Sequence, residues 1–257
     1  MNVRQIFRKY TVPVTVLAFG LFATPVATAE DPKDTGNGWS SAFTFYLLGP
    51  TLDGTTGIGP LDATVDMSAG DVFSALDMAF LGFYAGEGER WGVVADLVYM
   101  DLSEDDISGP LDLVSGELGN RQASALLSAS YRVSDSTRLL AGMAYTDISA
   151  DIRIDTPANS RYAKTSESWA DPMVGVLYNA PIGKNWDFSG LAQVGGGVGS
   201  DLTYVLTASF AWQFGDHSSL TLGYRYLYFD YEDGNGADRF KFDMKQHGPA
   251  VGYRIRW

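Results

Sequence analysis

Catalytic chemistry has few candidate residues in this chain. It contains two histidines and no cysteine, which excludes thiol chemistry, disulfides and a zinc site built from Cys and His. A serine nucleophile needs a histidine base that an acid orients. His217 precedes Ser218 and Ser219 in a stretch typical of a tight turn, and no serine adjoins His247 in the chain. We therefore predict no catalytic residues, no metal site and no cofactor.

Charged side chains are the second set of candidate functional residues. They fall at alternate positions of segments in which apolar residues occupy the other positions, so that they share one face of extended strands. Inside an enclosed space, opposite charges pair because an unpaired buried charge is costly. In an open space, they can line a conduit for small solutes. The inward set comprises Asp96, Asp171, Asp187, Arg132, Arg138, Arg225, Arg254 and Arg256.

Strands with a period of two must position these charges. In one clear case, Leu220, Leu222 and Tyr224 alternate with Thr221 and Arg225. Similar alternation runs from residue 43 to the last residue, Trp257, and short turns are expected near residues 88, 135, 183 and 216. Longer loops are expected at 50–77, 103–117, 155–167, 196–202 and 232–238. In the less regular segment 78–87, we place Leu81, Phe83 and Ala85 on the apolar face.

The pattern indicates an all-β protein: a closed, antiparallel, up-and-down transmembrane barrel of about ten strands, with eight or twelve as alternatives. An even strand number, with short turns alternating with long loops, is typical of outer-membrane barrels. The strands of a soluble β-sandwich also alternate, but a sandwich buries its apolar face. Its outward face would not carry Trp and Tyr preferentially at strand ends. The predicted aromatic girdle comprises Tyr99, Tyr131, Tyr145, Tyr178, Trp186, Trp212, Tyr228 and Trp257.

The N-terminus carries the features of a secretion signal. Three basic residues, Arg4, Arg8 and Lys9, precede an apolar run. The small residues Ala27-Thr28-Ala29 then form a signal-peptidase cleavage site of the A-x-A type. We predict a signal peptide at 1–29, a disordered lead at 30–38 and the barrel at 39–257. The formal net charge of -13 argues against nucleic-acid binding. Acidic loops such as 230–238 are expected to be solvated, or to bind divalent cations that bridge to lipopolysaccharide.

Residues 50–77 fit the strand pattern least well. Residues 60–67 favour a strand, and residues 70–77 favour a short helix with Val72, Phe73, Leu76 and Met78 on its apolar face. Another spanning strand would make the count odd. We therefore expect an external excursion, either a gate or plug or an ordered cap on a long loop, and favour the cap.

With the strands placed, the chain resembles small proteobacterial outer-membrane barrel proteins of the OmpA/OmpW-like kind. The resemblance rests on residues 65–99, 169–175, 223–230 and 248–257. It implies a barrel in the outer membrane of a Gram-negative bacterium, with lipids and lipopolysaccharide around it, and no assigned catalytic residues. By the same resemblance, Tyr253, Ile255 and Trp257 form a C-terminal signal for the barrel assembly machinery, although Trp replaces the more usual terminal Phe.

The expected function is not enzymatic. A barrel of eight to ten strands is scarcely wider than its own side chains, whereas barrels of 16–18 strands leave an open channel. We therefore expect a structural or narrow-pore protein with a largely filled lumen. One alternative is a passive channel for a small solute. The other is an enzyme that resembles outer-membrane lipid A deacylases.

Overall fold

A computed structural model of the protein describes residues 38–108, 115–156 and 159–257. The strands are β1 (Ser40–Leu48), β2 (Thr51–Ile58), β3 (Leu61–Met67), β4 (Leu76–Glu87), β5 (Trp91–Ser108), β6 (Ser115–Arg132), β7 (Thr137–Thr156), β8 (Asn159–Pro181), β9 (Trp186–Gly195), β10 (Leu202–Gln213), β11 (Ser218–Asp233) and β12 (Phe240–Arg256). One helix, α1 (Ala69–Ser74), lies between β3 and β4. The predicted signal peptide, and all but the last residue of the predicted lead, lie outside the described residues.

Ten of the strands close into the expected antiparallel barrel. β1 pairs with β4, β4 to β12 follow one another around the wall, and β12 returns to pair with β1. The seam is continued by two backbone hydrogen bonds between Ser41 and Trp257, of 2.9 and 3.0 Å. In the part of the chain that the structure describes, no helix is long and apolar enough to cross a membrane.

The two ends of the barrel differ. At one end, called the turn end, lie the start of β1, the end of β12 and turns of three or four residues such as Gly88–Arg90 and Val133–Ser136. At the opposite end, called the loop end, β5 to β8 extend to between 18 and 23 residues. Because a spanning strand needs only about 9–11 residues, these strands project beyond a bilayer. The predicted loops at 103–117 and 155–167 are therefore wrong, since most of their length continues the strands.

The excursion after β1 extends the sheet rather than entering the barrel. β1 and β2 are one strand interrupted at Gly49–Pro50, and both pair with β12. β3 folds back on β2, and Arg239 ties this hairpin to the wall through Asp62 and Glu232, each at 2.7 Å. The hydrogen bond from Arg239 holds the pKa of Asp62 below its usual value.

Helix α1 is present as predicted, with a narrower apolar face than expected. A capping box between Ser68 and Asp71 starts it. Val72 is buried, and Leu76, just after the helix, packs against the same apolar cluster. Phe73 and Met78 are exposed instead, because a helix of six residues can bury only one narrow stripe.

The predicted facing is wrong for β4. Phe83 and Ala85 line the interior and Leu81 is buried, because the register sets Phe83 opposite the inward Thr44 of β1. The outward positions include Gly82 and Gly86, which give no apolar signal and hid the true parity. A Cβ at Gly82 would lie 2.8 Å from the ring of Phe43, so an aromatic neighbour covers the bare backbone there.

Opposite faces of β10 and β11 should respond differently to polar substitution. Leu222 lies on the outer face and is 62% exposed. Leu222→Arg should lower the free energy of unfolding in lipid vesicles by about 2–4 kcal/mol near the bilayer midplane. The inward Thr207→Ser should change it little, as measured by guanidinium titration. Similar losses at both positions would contradict the facing.

Candidate functional site

The candidate site is the lumen, where inward side chains meet across the barrel. At its middle, Arg225 Nη1 of β11 lies 2.5 Å from Asp96 Oδ2 of β5, and both residues are buried. Tyr46 of β1 donates a hydrogen bond to Asp96 Oδ1 at 2.8 Å, and its ring centroid lies 5.8 Å from the Arg225 guanidinium carbon. Burying two charges is costly unless they pair closely. The three residues, Asp96, Arg225 and Tyr46, therefore form one buried, charge-paired triad that reaches across the midsection.

Two amide pairings add further links across the lumen. Gln246 of β12 donates to Gln122 of β6 at 2.6 Å, and a longer bond of 3.4 Å returns. Ser128 of β6 donates to Gln193 of β9 at 3.0 Å. All four side chains are buried. The links hold strands that are not neighbours in the sheet, so they brace the barrel wall while they fill its interior.

An aromatic cluster fills the loop end of the lumen. The indole of Trp169 stacks on Tyr231 with ring centroids 4.1 Å apart and planes at 12°. Phe229 and Phe242 pack edge-on or tilted against the same indole, at 6.0 and 6.2 Å. β9 and β10 end below this level, so the stack bridges β8 and β11 directly. We call these four residues the aromatic plug.

The loop between β9 and β10 supports the plug from one side. Asp171, 1% exposed, accepts hydrogen bonds from the backbone N–H groups of Gly199 and Ser200 at 3.1 and 2.8 Å. The hydroxyls of Ser200 and Thr203 donate to its other oxygen at 2.6 and 3.2 Å. A Cβ at Gly199 would lie 2.9 Å from Trp169 Cβ, so only glycine allows this approach. Asp171 thus anchors a loop, and within the described part of the chain it forms no ion pair with an arginine.

The remaining predicted charges lie toward the turn end. Arg256 lies 2.6 Å from Asp187, which also accepts from Gln213 at 2.6 Å. Arg138 and Arg132 approach Glu87 at 3.2 and 3.9 Å, and Arg132 is partly exposed at the rim. Arg254 Nε donates to Thr44 Oγ1 at 3.3 Å.

The predicted girdle residues lie on the outer face, in two bands. Tyr131, Tyr178, Trp186, Trp212 and Trp257 lie near the turn end, and Tyr99, Tyr145 and Tyr228 lie toward the loop end. Trp186 and Trp212 sit directly opposite each other on β9 and β10. Tyr253 and Ile255, of the predicted assembly signal, share the outer face of β12 with Trp257.

His247 lies on the outer face, between two partners. Its Nδ1 is 2.8 Å from the hydroxyl of Tyr224, and its Nε2 is 3.2 Å from Asp53 Oδ2. His217 Nδ1 lies 3.1 Å from the carbonyl oxygen of Arg256 at the turn end. Among the described residues, neither histidine hydrogen-bonds to a serine, and no group of three His, Cys, Asp or Glu residues is suited to hold a metal ion.

No protein-family model and no curated protein matches the chain. Among solved structures, the outer-membrane protease OmpT of Escherichia coli is similar with a TM-score of 0.51 and 7% identity, covering 86% of this chain and 98% of that one. The fold is that of a bacterial outer-membrane β-barrel. Ail of Yersinia pestis has a TM-score of 0.33 and 13% identity, covering 86% of this chain and 99% of that chain. The toluene transporter TbuX of Ralstonia pickettii has a TM-score of 0.38 and 10% identity, covering 86% of this chain and 90% of that chain.

In barrels of this type, both chain ends and the short turns face the periplasm. The turn end is accordingly the periplasmic end, and the aromatic plug lies toward the cell exterior.

The inward residues that the sequence did not single out are Tyr46, Glu87, Gln122, Gln193, Gln246 and the aromatic plug. The incorrect parity of β4 concealed Glu87. Trp169 lies two residues from Asp171, and therefore on the same inward face. The spacing from Asp171 was therefore a sequence signal that Trp169 faces the lumen.

The buried triad should contribute much more stability than an exposed ion pair. Arg225→Ala should lower the free energy of unfolding by about 3–5 kcal/mol, because it leaves Asp96 buried without its charge partner. Arg121→Ala, which removes the exposed pair with Asp101, should cost below about 1 kcal/mol. Guanidinium titration in vesicles would compare them.

A double replacement separates charge from packing. Arg225→Met combined with Asp96→Leu should recover most of the loss, since an apolar pair of similar volume removes the desolvation cost. An Arg225→Ala barrel as stable as the wild type would contradict the role of the triad.

Proposed function

We propose that the protein is an integral outer-membrane barrel whose lumen is closed toward the cell exterior, with a structural or narrow-conduit role. The observation that carries the proposal is the Asp96–Arg225–Tyr46 triad, which spans the lumen at its middle. The contact between the guanidinium and the carboxylate occupies that level of the lumen, which supports closure there. The aromatic plug adds a second closed layer outside it.

Barrel size supports the proposal. A barrel of about eight strands has an interior that side chains fill, and ten strands widen it only modestly. The hydrogen bonds Gln122–Gln246 and Ser128–Gln193 join side chains that meet across that width. The same barrel with its plug displaced would have a narrow, charge-lined path, so passage of a small solute is the alternative within this proposal.

Membership of the OmpA/OmpW-like group belongs to the same proposal, and it rests on the sequence blocks described above. So do export by a cleaved signal, recognition of Tyr253, Ile255 and Trp257 by the assembly machinery, and contact with lipopolysaccharide. A lipid A deacylase activity has less support. The partners of His247 are a tyrosine and an aspartate, so the nucleophilic serine of such a hydrolase has no counterpart beside it.

Ion conductance tests the closure. The purified full-length mature protein in planar bilayers should give no steps in the range of open porins. Trp169→Ala combined with Arg225→Ala removes a side chain from each closed layer and should produce discrete openings. Trp212→Ala combined with Arg121→Ala makes the same chemical changes on the outer face, and should stay silent. Porin-like steps from the wild type, or silence from the lumen variant, would overturn the proposal.

A further inference from the structure

A cavity occupies the periplasmic half of the lumen, below the triad. It has a volume of about 340 Å³ and is bounded by residues at the periplasmic ends of strands, among them Ser40, Glu87, Pro181 and Arg256. A smaller chamber of about 80 Å³ continues inward and reaches Tyr46 and Arg225. The two share five lining residues, which are Thr44, Phe83, Leu177, Ser189 and Arg254. They therefore form one blind space that opens toward the periplasm.

Arg254 lies at the junction of the two chambers and carries an unbalanced charge. The neighbouring arginines are matched, since Arg256 contacts Asp187 and Arg138 contacts Glu87. Across the described residues, no carboxylate lies within 4.0 Å of Arg254, and its hydrogen-bond partner is the Thr44 hydroxyl. A guanidinium partly withdrawn from water is stabilised by an anion. The Arg254 guanidinium is thus the charged group of this cavity that is free to contact an anion, although the carboxylates Glu87 and Asp187 also line the cavity.

The inner chamber is mostly apolar. Phe83 and Leu177 line it at the junction, and Leu191 and Ala250 line its inner part. Its volume is that of two or three water molecules at about 30 Å³ each, enough for a short alkyl group. The hydroxyl of Thr207 lines the chamber as well and is buried without a hydrogen-bond partner in the described part of the chain. The site therefore combines the Arg254 guanidinium, which has no carboxylate in contact among the described residues, with a small apolar pocket and an unpaired hydroxyl.

We propose that this periplasm-facing cavity binds a short-chain monocarboxylate. Its carboxylate contacts the Arg254 guanidinium, which can donate two parallel hydrogen bonds to it. Its alkyl group occupies the inner chamber below the triad. This binding needs no passage through the barrel, so it is independent of whether the lumen conducts. An inorganic anion would satisfy the charge but leave the apolar chamber empty.

Isothermal titration of the purified full-length mature protein in detergent tests the proposal with three probes. Butyrate carries both the charge and the alkyl group, butyramide has the same shape without charge, and formate has the charge without the chain. The wild type should bind butyrate at least tenfold more tightly than either of the others. Equal affinity for formate and butyrate would reduce the site to a general anion site and overturn the proposal, as would absence of butyrate binding.

Variants locate the binding. Arg254→Gln should weaken butyrate binding at least tenfold, and Arg254→Lys should retain part of it because the charge remains. Arg121→Gln, the same change on the outer face, should bind as the wild type does. Ala250→Leu fills the inner chamber and should weaken butyrate more than formate. Unchanged butyrate affinity in Arg254→Gln would overturn the assignment. If that variant does not fold, Ala250→Leu and Arg254→Lys still decide the outcome.

Discussion

Inward polar groups of this barrel depend on partners inside the barrel, because lipid surrounds the wall and the lumen is narrow; a few buried atoms, such as Thr207 Oγ1, have none among the described residues. That constraint explains why the strongest contacts run across the lumen rather than along the strands. Asp96 and Arg225 lie four strands apart around the wall, yet their charged atoms are in contact. Gln122 and Gln246 satisfy their amides in the same way. The contacts that satisfy these polar groups therefore also occupy the lumen.

The two ends of the lumen meet this requirement differently. Toward the exterior, β9 and β10 stop early, and the gap is filled by the stack of Trp169 on Tyr231. Asp171 holds the intervening loop in place through backbone N–H groups and hydroxyls. Toward the periplasm, no comparable apolar layer is present among the described residues, and arginines and acids surround an open cavity. The loop end of the lumen thus holds packed aromatic side chains, whereas the turn end holds a cavity.

The fold was largely predictable because a period of two fixes which residues share a face. The ten strands and the facing of β5, β6, β11 and β12 follow from that period. The predicted facing of β4 was wrong because its outward positions include Gly82 and Gly86, whose surfaces are covered by neighbouring aromatic rings. A glycine at an outward position gives no apolar signal, so pattern reading assigned the wrong face.

The pairing of the lumen charges was only partly predictable. Parity places Asp96, Asp171 and Arg225 in the interior, but the stagger of the strands decides which of them meet. Asp171 lies beside backbone N–H groups of a glycine loop, so it accepts from them and has no need of an arginine. The loop-end extensions of β5 to β8 were missed because charged residues interrupt the apolar alternation above the membrane. Beyond the bilayer, strands can continue with polar residues on both faces.

One-sided access to the lumen can be measured directly, because the chain has no native cysteine. Ser189→Cys places a thiol in the periplasmic cavity, above which the triad and the aromatic plug lie. In intact cells, a small charged thiol reagent that enters only from outside should leave this residue unlabelled, whereas the same reagent supplied to the periplasm should label it fully. Equal labelling from the two sides would contradict an externally closed barrel.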